Sequence, residues 1–156
     1  MEEVIISDDT IFEPSESFIV QMVAYTNVSA GGITETTITI TDNDTGPTIS
    51  WSPASASVSD NSGSIQLTAS LSMDSGLPAS IDYTVSGTAT NGTDFNLADG
   101  MLSNAEGLTI NNLIINLTDD SIDENPETVV IHMVTYTNTS GGISTKYTLT
   151  DRKSVV

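Results

Sequence analysis

One block of sequence returns after about 110 residues, and that interval sets the scale of what the chain can fold into. Residues 5–18 read IISDDTIFEPSESF and residues 116–129 read NLTDDSIDENPETV, so Asp8, Asp9, Glu13 and Glu16 recur as Asp119, Asp120, Glu124 and Glu127. Downstream, Tyr25-Thr26-Asn27 recurs as Tyr136-Thr137-Asn138, and Gly31-Gly32-Ile33 as Gly141-Gly142-Ile143. Solenoid units repeat every 20–50 residues or so, and a longer period means tandem whole domains. Residues 1–44 then read as the C-terminal part of one repeat and residues 45–151 as a nearly complete second one. The junction is Asp42-Asn43-Asp44-Thr45-Gly46-Pro47, with Gly46 expected to loosen it as a hinge.

Within a repeat the pattern is that of strands. Ile65, Leu67, Ala69 and Leu71 alternate with small or polar neighbours, as do Ile81, Tyr83 and Val85, and Val129, Ile131 and Met133. Between these runs lie Asp60-Asn61-Ser62-Gly63, Asp74-Ser75-Gly76 and Asn91-Gly92, residues that tolerate the conformations of tight turns. No stretch shows an apolar stripe at helical spacing. The fold class expected is all-β, an immunoglobulin-like two-sheet antiparallel sandwich of about seven strands.

Charge narrows the function. Asp and Glu number 21 against 3 Lys and Arg, a formal net charge of −18, which excludes nucleic acid as a partner because no basic patch exists to displace counterions. No run is long and apolar enough for membrane insertion as a helix. Cysteine is absent, so disulfides and thiolate metal sites are excluded. Adjacent acids such as Asp119-Asp120 repel each other, and a divalent cation is the simplest way to offset that. The same acids also read as turn and cap residues on a solvated surface, and on charge alone that reading stays open.

Gly87-Thr88-Ala89-Thr90-Asn91-Gly92-Thr93-Asp94-Phe95, then Asp119-Asp120 with Glu124 and Glu127, then a closing Thr-Asp-Asn-Asp at Thr41–Asp44, resemble the Calx-beta domain. That family is an immunoglobulin-like sandwich found in sodium/calcium exchangers and repetitive bacterial surface proteins. The resemblance implies Ca²⁺ as the cofactor, with ligands from Asp60, Asp94, Asp119, Asp120 and Asp151 in the second copy and Asp8, Asp9, Asp42 and Asp44 in the partial one. Glu13 and Glu124 stand where the family usually has an acid; Glu16 and Glu127 read as structural. Asp60 is shorter than the Glu common at its place, and Thr10 and Ser121 interrupt what is a run of three acids in the exchangers. Both departures point to a single weak site per repeat, with a dissociation constant of roughly 10⁻⁴–10⁻³ M.

The resemblance implies a calcium-stiffened structural module of an extracellular or cell-surface protein, bacterial in source, whose partners are neighbouring repeats. The alternative is a calcium-independent adhesion module that binds a protein or glycan ligand. No nucleophile elbow, phosphate loop or histidine-based metal motif is present, so no enzyme is expected. His132, the single histidine, reads as a surface residue, and Trp51 as core. Residues 152–156, Arg-Lys-Ser-Val-Val, read as a non-native tail from a translated sequencing adapter rather than a natural basic end.

Overall fold

In a computed structural model, residues 3–120 and 125–151 are described. Among them run twelve strands, one 3₁₀ turn and no α-helix. Strands β1 (Glu16–Gln21) and β2 (Glu35–Ile40) form an antiparallel hairpin by themselves. The remaining strands build a sandwich. One sheet orders β4 (Ser55–Val58), β12 (Lys146–Asp151), β10 (Glu127–Thr137), β6 (Ala79–Gly87) and β8 (Gly100–Asn104). The other orders β11 (Ser140–Gly141), β3 (Thr48–Ser52), β5 (Ser64–Leu71), β9 (Ile110–Leu117) and β7 (Phe95–Asn96).

The alternation read from the sequence is what fills the space between the sheets. Val129, Ile131 and Met133 of β10 point inward and are buried, while His132 between them is exposed. Leu67, Ala69 and Leu71 of β5, Leu113, Ile115 and Leu117 of β9 and Trp51 of β3 face them from the other sheet, and Tyr147 and Leu149 of β12 stand beside them. These buried side chains form one cluster, at about 1.5–3 kcal/mol for each large apolar side chain withdrawn from water.

Two features depart from the expected seven antiparallel strands. The first strand of the sandwich is cut into β3 and β4, one in each sheet, at Pro53, which has no N–H to give to a ladder. β4 then forms one edge of its sheet, paired parallel with β12, while β3 lies second in the other sheet, between antiparallel β5 and the parallel edge strand β11. Val134 is an extra residue in β10, where the register against β6 shifts between Met133 and Thr135.

The repeat is visible as geometry. Tyr25 Oη donates to the Met22 carbonyl and Tyr136 Oη to the Met133 carbonyl, each at 3.3 Å. Asn27 and Asn138 both adopt left-handed backbone, at φ 59° and 53°. Burial differs, because the hairpin has no facing sheet in this chain: Met22 is 62% exposed where its counterpart Met133 is 2% exposed. Gly46, expected as a loose hinge, faces the ring of Phe12, which would lie 3.6 Å from a Cβ placed there.

Candidate metal centre

At one end of the sandwich β4, β6, β9 and β12 finish while β5, β7 and β10 begin. The register fixes this: Ser64 lies opposite Asn116, Phe95 opposite Leu117, and Asp151 opposite both Val58 and Glu127. The loops carrying Asp60, Asp94, Asp119 and Asp120, and the strand end at Asp151, therefore share this end. Main-chain bonds tie them together, Leu117 N–H to the Gly63 carbonyl at 2.9 Å and Thr118 N–H to the Asp94 carbonyl at 2.9 Å.

Each acid is held differently. Asp60 opens the 3₁₀ turn Asp60–Ser62, and its Oδ1 accepts from Ser59 Oγ at 3.1 Å and from the Asn61 N–H at 2.9 Å. Asp94 closes its loop, with Oδ2 accepting from the Thr90 N–H at 2.7 Å and its own N–H donating to the Thr90 carbonyl at 3.0 Å. Asp60, Asp94 and Asp151 are only 2%, 4% and 2% exposed, so three carboxylates are buried at one end. Asp119 is exposed and Asp120 half-buried. Glu124 lies outside the described residues. The turn-and-cap reading is thus realised for one oxygen each of Asp60 and Asp94.

The root of the Asp94 loop explains its glycine. Thr88 and Ala89 both donate main-chain N–H bonds to the Thr128 carbonyl, at 3.0 and 3.1 Å. That carbonyl would lie 2.0 Å from a Cβ on Gly87, whose φ is +131°. Only glycine lets the two strands approach this closely.

In the first copy Asp8, Asp9, Glu13, Asp42 and Asp44, with Glu16, line one cavity of about 140 Å³. Asp42 is its hub, accepting the Glu13 N–H on Oδ2 at 3.2 Å and the Asp44 N–H on Oδ1 at 3.4 Å. Asp9 Oδ1 accepts the Ile11 N–H at 2.8 Å. Removal from water, followed by the charges of Asp9, Glu16, Asp42 and Glu106, raises the pKa of Glu13 above its ordinary value. Asp44 is raised likewise, by removal from water and then by Asp42, Asp8 and Asp9. All five acids singled out in this copy are therefore brought together. Glu16, read as structural, joins them, and its spacing three residues after Glu13 was the available signal. Glu106 approaches from the second copy, and nothing in the sequence pointed to it.

Among the described residues there is little positive charge to set against these acids. Lys146 is the sole Lys or Arg among the described residues, and it starts β12, about 17 Å along the strand from Asp151. As the side chains stand, no three of the described His, Cys, Asp or Glu residues are close enough to hold one ion. The donor set is nevertheless one type throughout, carboxylate oxygen with neither thiol nor imidazole, which suits a hard divalent cation and not zinc or copper.

A two-sheet sandwich with acidic loops gathered at one end defines the class of module. The Calx-beta domain model matches residues 2–44 and again 42–151, and the chain belongs to that family. Among solved structures, the apo form of the Calx CBD1 domain superposes with a TM-score of 0.66 at 23% identity, covering 70% of this chain and 99% of that one. The calcium binding domain CBD12 of CALX1.1 gives a TM-score of 0.63 at 24% identity, over 67% of this chain and 44% of that one. The Calx CBD2 domain gives 0.60 at 14% identity, over 70% of this chain and 90% of that one. At such identities the likeness is one of fold. No curated protein sequence matches the chain.

Proposed function

We propose that the chain is a calcium-binding structural module of a large repetitive protein at the cell surface or outside the cell. Calcium stiffens its loop ends and the junction between repeats. The observation that carries this reading is the cavity of the first copy. Five carboxylates face it together with Glu16, and removal from water, with the charges of neighbouring acids, raises the pKa of two of them. Ca²⁺ takes six to eight oxygen ligands in flexible geometry, so modest rotations of Asp8, Asp9, Glu13, Asp42 and Asp44 suffice to enclose it. In the second copy Asp60, Asp94, Asp119, Asp120 and Asp151, with Glu124, would serve the same role. Membership of the Calx-beta family, and a neighbour described as a calcium binding domain, support the choice of ion.

When bound, the ion would supply positive charge at ends where acids far outnumber the described bases. Loops that now repel one another become cross-linked, and the gain is mechanical. Titration calorimetry with CaCl₂ and with MgCl₂ tests the reading. Calcium should bind with a dissociation constant of roughly 10⁻⁴–10⁻³ M, and Asp42→Asn should remove the first-copy site. No heat and no spectral change at about ten times that concentration would overturn it.

A further inference from the structure

The contact between the two copies is itself built, and it does not use the carboxylates. Phe12 forms a parallel β-bridge with Ser75, and the Gly76 N–H donates to the Phe12 carbonyl at 3.0 Å. On the other side the Phe12 ring faces Gly46 at the start of the second copy. Glu13 passes directly over Gly76, so close that a Cβ there would stand 2.8 Å from Glu13 Cγ. The receiving loop is firm: Ser75 is 4% exposed, its Oγ accepts the Leu77 N–H at 3.1 Å, and its carbonyl accepts the Gly107 N–H at 3.0 Å.

These contacts lie at the end of the sandwich opposite Asp60, Asp94 and Asp151. Ser72 follows β5 there, and its N–H donates to the Thr48 carbonyl. We propose that the Ser75–Gly76 loop, with Gly46, is a receptor for the Phe12–Glu13 segment of the preceding repeat, and that this clasp sets the direction between repeats before any metal binds, calcium then tightening a junction already oriented. The holding atoms are a main-chain N–H and C=O already paired with each other, an aromatic ring and methylene carbon, so the contact needs no cation to form. Three separate contacts, the main-chain bridge, the ring on Gly46 and the passage over Gly76, remove the rotations that a single tether leaves free. The clasp also has a sequence preference, for an aromatic residue followed by a long acid and opposed by glycine. By the repeat spacing Asp123 stands at the place of Phe12 in the second copy, so the second copy carries no ring for such a clasp.

The clasp goes beyond the calcium reading and is tested apart from it. The chain has no cysteine, so Thr37→Cys on β2 and Ser103→Cys on β8, both exposed, take spin labels without background. Pulsed electron resonance in chelator should give one narrow distance distribution. Phe12→Ala and Gly76→Val should each broaden it at least twofold, while Gly46→Ala, whose added methyl fits at 3.6 Å from the ring, should leave it narrow. Trp51, buried in the sandwich core, reports that the second copy remains folded in each variant. A distribution that is broad in chelator and narrows only with calcium overturns the clasp and leaves the calcium reading standing. An unchanged width in both Phe12→Ala and Gly76→Val also overturns it.

Discussion

Replacing Gly87 by alanine should unfold the second copy far more readily than the same change at Gly92. Gly87 has φ +131°, and its Cβ would lie 2.0 Å from the Thr128 oxygen, 2.8 Å from the Thr128 carbonyl carbon and 3.2 Å from Val129 Cα. Backbone atoms cannot rotate away as a side chain would, so β6 and β10 must separate at this point. Separation sacrifices the bonds from Thr88 and Ala89 to the Thr128 carbonyl, at about 1 kcal/mol each. An L-residue in this backbone region adds strain of about 1–3 kcal/mol. The loss expected is therefore about 3–5 kcal/mol, a large part of the 5–15 kcal/mol typical of a domain. Gly92 has φ +91° but open space around it, so Gly92→Ala should cost only the strain. Urea unfolding followed by the single Trp51 measures both. A loss below about 1 kcal/mol in Gly87→Ala, or equal losses at the two sites, would refute the argument from close approach.

Glu13 and Asp44 have raised pKa values in the folded chain, so they favour the folded acid end below the ordinary carboxylate range, and that contribution is lost as pH rises through their folded pKa. Carboxyl carbon NMR should find Glu13 titrating above an ordinary glutamate, and a normal midpoint would contradict the crowding. Asp8→Asn with Asp42→Asn should tighten the metal-free first copy while abolishing its calcium response, as read by amide exchange of β1 and β2. Asn138 holds φ 53° and donates through Nδ2 to the Pro78 carbonyl at 2.9 Å. Its replacement by alanine should therefore cost about 1–3 kcal/mol in urea unfolding, and by glycine less.

The legible parts of the fold were those where one residue type repeats at one spacing. Alternation placed β5, β6 and β10 because each buries one face, and the exposure of His132 followed from that geometry. The split at Pro53 and the parallel edges were hidden, since nothing local in a strand says which sheet it joins. Asp94 was legible as a site candidate from its loop motif, yet its bond to the Thr90 N–H shows that part of its carboxylate already closes the loop. Phe12 carried no signal in the sequence, because its partners, Gly46 and Ser75, are remote from it along the chain.

The most direct test of the central claim is thermal melting, in calcium and in chelator, of the chain with Arg152→Asn and Lys153→Asp, which gives the second copy the Thr-Asp-Asn-Asp ending of the first. At free calcium 100 times the dissociation constant, one site on the folded state contributes about 2.7 kcal/mol. For a domain of this size that is a rise in Tm of about 10 °C, and it should shrink in Asp119→Asn with Asp120→Asn. Identical melting in chelator and at free calcium 100 times the dissociation constant would contradict a module stabilised by the ion.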